Sequence, residues 1–403
     1  MQFKFPSVYY LFVITLVFFS ACKKESTPVC AHDWEVDPAG QWYRGDLHVH
    51  ATDASNDTGG DSYPSDIKQK AQEAGLDFVV LTDHSNSTGS DPDTTYEDPA
   101  LFNMGPEFPY WDSAAMLTDL GNFLMICGNE LSPRHPGSEP TGHIGCLPFN
   151  LNTFDQNYVF TDRPMGTVDG ANTLNQASEA GCFKVLNHPY AFNRWIAFDW
   201  TSYDYNAMEV WNGTIGYDDF DKFGYDAWIC DLLAGRQVSA IGGSDNHRVF
   251  TPAPGQVLDP ALGYPTTMVF AESLSWDNII QGLSEGNTAI VEGDSRIFID
   301  DYTKGKCRAN GEDVAWVRLR GEADVNLVNP KLTLYHFTSC NDPRPNTDAY
   351  PIPEENVLVE IDLSAGSSFD EGVEVEGQSG VYTAVLSGDG YHYWALSKAI
   401  VIK

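Results

Sequence analysis

Ten histidines are spread along the chain, and six of them fall where short apolar runs end. His48 and His50 stand two apart on one such run. On a strand that spacing turns both rings to the same face, the geometry of two ligands on one metal ion. Asp245 and His247 repeat the spacing on a later run, and His84, His143 and His188 each close or open a run of their own. Glu130 ends another, and a carboxylate there can bridge two cations. A single such histidine is most simply a hydrogen-bonded core residue. Six together with Asp and Glu are not, because burying that many polar groups unpaired would cost several kcal/mol each. Metal coordination satisfies them together. The chemistry expected of such a site is hydrolysis by water activated on divalent ions.

These residues need elements to hold them on one rim. A repeating unit supplies them: a helical stretch, a glycine, a short apolar strand, then a polar residue. Residues 65–74 lead through Gly75 to 78–81 and Thr82-Asp-His84. Residues 173–180 lead through Gly181 to 183–186 and Asn187-His-Pro189, and 228–234 through Gly235 to 238–241 and Ser244-Asp-Asn-His247. A looser copy runs from Ala114 to Glu130. Glycine after a helix is a stop signal, and apolar runs alternating with helices indicate a parallel sheet. Ligands in such folds collect at the carboxyl ends of the strands. Seven strands are expected, at 45–50, 77–82, 123–129, 143–147, 183–187, 207–212 and 238–243, hence an α/β barrel one unit short of eight. A last helix is expected over 274–286. Beyond residue 295 short alternating runs separated by Gly, Pro, Asn and Asp predict a small β-sandwich. Tyr391-His-Tyr-Trp394 is read there as core or interdomain packing.

The chain therefore divides into an export signal (1–21), a tether (22–40), a barrel (41–295) and a C-terminal β-rich region (296–403). Lys4, the apolar run 8–19 and Ser20-Ala-Cys22 resemble a bacterial lipoprotein processing site. That implies export and a lipid on Cys22 that anchors the chain to a membrane without spanning it. Seven cysteines then remain, an odd number, so at least one thiol is expected to be free. No CxxC occurs, which speaks against a thiolate zinc site. With 23 Lys plus Arg against 57 Asp plus Glu, the net charge is −34. That excludes non-specific nucleic-acid binding, which needs basic surface. The hydrophobic content of 42% excludes disorder. Neither a Gly-x-Ser-x-Gly elbow nor a Walker loop is present.

Six segments, Asp46-Leu-His-Val-His50, Leu81-Thr-Asp-His84, Gly128-Asn-Glu130, His143-Ile-Gly, Asn187-His-Pro189 and Ser244-Asp-Asn-His247, resemble in order the motifs of the PHP (polymerase and histidinol phosphatase) superfamily. The resemblance covers about residues 44–290. It implies a metal-dependent phosphoesterase on a distorted (βα)7 TIM-like barrel, with two or three divalent metals, zinc, manganese or iron. It implies His48, His50, Glu130 and Asp245 for the first ion and Glu130, His143 and His188 for the second. His84 and His247 would hold the third with an acid or His five or six residues after His50. Those positions here are Ser55 and Asn56, so Asp57 is the expected substitute. The amidohydrolase superfamily shares the HxH opening but lacks the Thr-Asp-His and Asp-x-His segments.

Among neighbouring residues, Asp83 or Asp46 is expected either to orient metal-bound rings or to bond strand-end backbone. Arg134, Arg194 and Arg248 are candidate phosphate clamps, and His135 a candidate proton donor to the leaving group. The expected substrate is a small-molecule or polymeric phosphoester. A carbamate or carboxylic ester hydrolase on the same metals, and a non-catalytic surface binder, are the alternatives.

Overall fold

The structure is a computed structural model. It describes residues 39–55, 58, 60–84, 110–131, 142–156, 158, 160, 170–190, 204–213, 217–250, 260–306, 313–344, 350–375, 378–389 and 391–403. The signal, Cys22, most of the tether, and Asp57, Arg134, His135 and Arg194 lie outside these residues.

The first half follows the expected strands closely. In chain order they are β1 (Gln41–Val49), β2 (Phe78–Leu81), β3 (Leu124–Cys127), β4 (Asn129–Leu131), β5 (His143–Pro148), β6 (Cys182–Asn187), β7 (Ala207–Asn212) and β8 (Ser239–Gly243). Helices α1 (Pro64–Glu73), α2 (Trp111–Leu117), α3 (Gly170–Ala180) and α4 (Asp219–Leu233) connect them. Proline opens α1, where no backbone N–H is needed. The Asp218 side chain accepts from Phe220 N and Asp221 N to cap α4. Gly75 and Gly235 follow α1 and α4 at φ +72° and +87°, the left-handed stop that glycine adopts without strain.

Strands β3, β2 and β1 pair in parallel, as do β6, β7 and β8. The two groups meet where Val49 bridges Asn246 in parallel, with His50 N donating to Asn246 O at 3.0 Å. Gly128 alone separates β3 from β4, and β4 pairs with β5, which pairs with β6. The Gly128 junction and the Val49–Asn246 bridge thus connect the two sheets that hold the seven expected strand positions. The fold is mixed α/β.

It differs from the expected (βα)7 barrel with an appended sandwich in two respects. First, β5 runs antiparallel to both β4 and β6. An antiparallel neighbour needs no crossover helix, and the link before β5 carries Pro133, Pro136 and Pro140, a poor helix sequence. Second, the sheet does not stop near residue 295. β9 (Thr266–Ala271) lies antiparallel to β1, and β10 (Thr288–Val291), reached through α5 (Trp276–Ser284), pairs with β9. After β11 (Arg296–Lys306), β12 (Asp313–Glu322), β13 (Lys331–Asn341), β14 (Ile352–Asp362), β15 (Ser368–Val375) and β16 (Gly380–Gly388), strand β17 (Tyr391–Leu396) returns to pair with β10. The ten-stranded sheet therefore runs β14-β13-β16-β17-β10-β9-β1-β2-β3, with β18 (Ile400–Ile402) on β16.

Strands β11, β12 and β15 form a separate sheet. Its Ile297, Ile299, Val317 and Leu319 share one apolar cluster with Leu332, Leu334 and Leu386 of the large sheet and with Met268 and Val291 of β9 and β10. Helix α4 is buried nearly all round, the pattern of a helix covered on both faces. It is joined to β13 by the Cys230–Cys340 disulfide and to β16 by a hydrogen bond between Tyr225 and Thr383. Residues 37–403 hold together as one unit. A second disulfide, Cys146–Cys182, links β5 to β6, while Cys127 is a free buried thiol. Tyr393 is packed against Tyr217 and Tyr225, a core role.

Candidate metal centre

Each strand delivers its chemical residue to one rim. His48 and His50 end β1, His84 follows β2, Glu130 lies on β4, His188 follows β6, and Asp245 and His247 follow β8. His143 is the first residue of β5 and pairs with Asn187, the last of β6. Because β5 runs the other way, its start reaches the rim where its neighbours end. All these residues are buried except Asp245, which is partly so.

Glu130 is the hub. Its Oε1 lies 3.1 Å from His48 Nε2, 3.0 Å from His143 Nδ1 and 3.1 Å from His188 Nε2. Its Oε2 lies 3.4 Å from His50 Nε2 and 3.5 Å from His84 Nε2. Asp245 Oδ1 stands 3.3 Å from His48 Nε2 and 3.1 Å from His50 Nε2. The ring of His247 stacks on that of His50 with centroids 4.2 Å apart.

Three sets offer ligand atoms within 4.8 Å of one another: His48, His50, Glu130 and Asp245; Glu130, His143 and His188; and His48, His188 and Glu209. The structure thus brings together the residues expected for the first two ions. Among the described residues His84 and His247 belong to no such set, and Asp57 lies outside them.

Sequence reasoning missed Glu209. Its signal was an acid inside the run Ala207-Met-Glu-Val-Trp-Asn212, where a fully buried strand should be apolar. Its Oε1 lies 3.0 Å from His48 Nδ1, and its Oε2 accepts from His188 N at 2.8 Å and Asn212 Nδ2 at 3.1 Å. Asp46 accepts from His48 N, Ser244 N and Gly263 N, the backbone role. Asp83 accepts from Ala51 N and from Ser55 Oγ, which touches His50 Nδ1 at 3.0 Å. Arg248 is exposed beside His247.

The electrostatics follow from burial and from the carboxylates set among the rings. Burial pushes His50 and His143 down to about 4, helped for His50 by His247, so both rings are neutral at pH 7. Burial also works against a charged His48, but Asp245, Glu130 and Glu209 outweigh it and raise the ring well above its usual range. Glu130 and Asp245 are held well below the usual carboxylate range: burial opposes this, and the imidazoles around them, His143 and His48 foremost for Glu130, prevail. His188 and Asp245 adopt φ of +28° and +52°, backbone that non-glycine residues rarely take and that clusters at functional sites.

The residues fit divalent ions. His48 Nε2 and His50 Nε2 are buried and, among the described residues, have no hydrogen-bond partner of acceptable angle, although carboxylate oxygens stand close by. These two buried nitrogens, set beside carboxylate oxygens, are suited to a shared cation. Imidazole with carboxylate suits zinc, iron or manganese. The buried groups suit a multi-metal site.

Structural neighbours of this chain include a PHP-like protein. It is a two-domain protein containing a predicted PHP-like metal-dependent phosphoesterase, from Bacteroides vulgatus ATCC 8482. The two chains are 14% identical with a TM-score of 0.42, over 87% of this chain and 92% of the other. Endonuclease Q, solved with a 27-mer duplex substrate bearing an abasic lesion, is 13% identical with a TM-score of 0.39; the match spans 60% of this chain and 56% of that one. No family model and no curated protein matches.

Proposed function

We propose that the chain is a metal-dependent hydrolase of phosphoric esters with two or three divalent ions at this rim. The observation that carries the reading is Glu130, one carboxylate with ring nitrogens of five histidines 3.0–3.5 Å from its oxygens. That is the environment of a bridging ligand. His48, His50, Glu130 and Asp245 would hold one ion and Glu130, His143 and His188 another, with His84, His247 and Asp57 proposed for a third. Bound divalent ions supply Lewis acidity, which lowers the pKa of water and stabilises charge developing on a phosphoryl group. The protein's part is to hold neutral imidazoles and ionised carboxylates in place, as the shifts at His50, His143, Glu130 and Asp245 favour. Arg248 and Arg134 are proposed to hold substrate oxygens and His135 to give a proton to the leaving group, with Asp83 acting from behind His50.

We read the linked strands β1–β8, with β3 and β4 continuing one another through Gly128, as a distorted barrel of seven strand positions, and the sheet β11-β12-β15 with the C-terminal strands of the ten-stranded sheet as a sandwich. Export with a lipid on Cys22 completes the proposal; Cys22→Ser should release the protein from the membrane fraction.

The test is to load purified protein with zinc, manganese or iron(II), measure metal content, and assay phosphomonoesters, phosphodiesters, carbamates and carboxylic esters side by side. Phosphoester turnover that disappears on chelation is expected. Turnover of carbamate or carboxylic ester alone would replace the phosphoesterase reading. Less than one metal per chain, not regained on soaking, would favour a non-catalytic binder.

A further inference from the structure

We propose that two hydrogen-bond chains lock both histidines of the HxH pair in the tautomer that turns Nε2 toward the metal centre: Glu209 acts on His48, and Asp83 acts through Ser55 on His50. The inference rests on the metal-centre reading and adds residues that act from behind the ligands.

The Ser55 chain follows from counting hydrogens. Asp83 Oδ1 accepts from Ala51 N at 2.6 Å, so that oxygen carries no hydrogen. Ser55 Oγ lies 3.1 Å from it, and a hydroxyl beside an acceptor must donate. That uses the one hydrogen Ser55 has. The same Oγ accepts from His84 N at 3.0 Å. Toward His50 Nδ1, also at 3.0 Å, Ser55 can then only accept. His50 Nδ1 must carry the ring hydrogen, which leaves the lone pair on Nε2, facing Asp245 and Glu130. Ser55 occupies one of the positions where the family resemblance leads one to expect an ion ligand. Its hydroxyl is spent instead on two ligand residues, the ring of His50 and the backbone of His84.

Glu209 works in the same way from the other side. Its Oε2 accepts from His188 N and Asn212 Nδ2, and its Oε1 faces His48 Nδ1 at 3.0 Å. A carboxylate offers no hydrogen here, so His48 Nδ1 donates, and in the neutral ring Nε2 is again left for an ion. The bond to His188 N also fixes the peptide of a residue held at φ +28°. One buried side chain thereby positions a ligand from each of the two ligand sets that share Glu130. Ser55, Asp83 and Glu209 are positioning residues in this account.

The experiment uses the full chain labelled with ¹⁵N-histidine, metal-free and then zinc-loaded. Long-range proton–nitrogen spectra report which ring nitrogen is protonated, and calorimetric titration with Zn²⁺ alone reports affinity. In the wild type, His50 should be Nδ1–H in the metal-free chain, and His48 should be Nδ1–H with no hydrogen on Nε2 in the zinc-loaded chain. Ser55→Ala should give His50 a mixed tautomer and weaken Zn²⁺ binding about 10–100-fold, as expected for loss of an orienting partner. Ser55→Thr, which keeps the hydroxyl, should restore both. Glu209→Gln has one acceptor oxygen where two are used, so it should shift His48 toward Nε2–H with a similar loss. A purely structural role would lower thermal stability without moving the tautomers. A neutral Nε2–H ring at His50 in the metal-free chain, or Nε2–H at His48 in the zinc-loaded chain, would overturn the lock with no variant needed, as would variants that keep wild-type tautomer and affinity. A wild type that binds no Zn²⁺ would instead overturn the metal-centre reading beneath it.

Discussion

Glu130 carries a disproportionate share of the site, since two ligand sets and five imidazoles depend on its two oxygens. Glu130→Gln keeps the shape and removes the charge. The variant is expected to hold at least one fewer ion per chain by elemental analysis, and to lose more than about 100-fold in turnover, beyond what removing an orienting partner costs. Unchanged metal content would show that the carboxylate does not bridge. At this scale the sequence was informative where strand ends coincide with ligand types: the meeting of His48, His50, Glu130, His188 and Asp245 at one rim was legible. Glu209 was not, because a lone acid in a strand reads as an exception until its neighbours in space are known. Ser55 stood at a position where a ligand was expected, and only the hydrogen bonds reveal what it does there.

The strands themselves were legible because apolar runs bounded by glycine and polar residues have little else to become. Their directions were not. Composition is the same whichever way a strand runs, so the reversal of β5 was hidden, as was the pairing of β17 with β10. Close approach between strands is a further element-scale constraint. Gly243 ends β8 where an added Cβ would fall 2.4 Å from His48 Cβ and 2.8 Å from Glu209 Oε1. Gly243→Ala should push β8 from β1 and weaken zinc binding by about tenfold or more, read by the same calorimetric titration. At the end of β10, Glu292 is buried with neither carboxylate oxygen hydrogen-bonded among the described residues. Burial first, and Asp324 second, push it up to about 8 from an ordinary 4.5. The folded chain thus keeps a proton that the unfolded chain has lost, and stability falls as pH rises from about 4.5 through about 8. Glu292→Gln should flatten that slope: urea midpoints of variant and parent should lie closest near pH 4 and diverge, in favour of the variant, toward pH 9. A constant difference would mean that Glu292 does not titrate in this window.

For the molecule as a whole, charge and texture were readable while integration was not. A net charge of −34 makes any cation-rich rim a local exception in the protein's field, which bound dications can invert. Hydrogen bonding crosses the change of texture at residue 295 through β10 and β17, and α4 packs against strands on both sides. Pairing partners as far apart in sequence as Ile290 and Leu396 leave no local trace in composition. The Cys230–Cys340 disulfide closes a loop with a sequence separation of 110. Its loss in Cys340→Ser should lower unfolding free energy by about 2–5 kcal/mol in chemical denaturation, with the metal site unfolding in the same transition. Two well-separated transitions would argue against such coupling. The same cross-link has a practical corollary. A polypeptide nicked by a protease anywhere between those two cysteines would migrate in detergent as a single band without reductant, and as two once reductant is added.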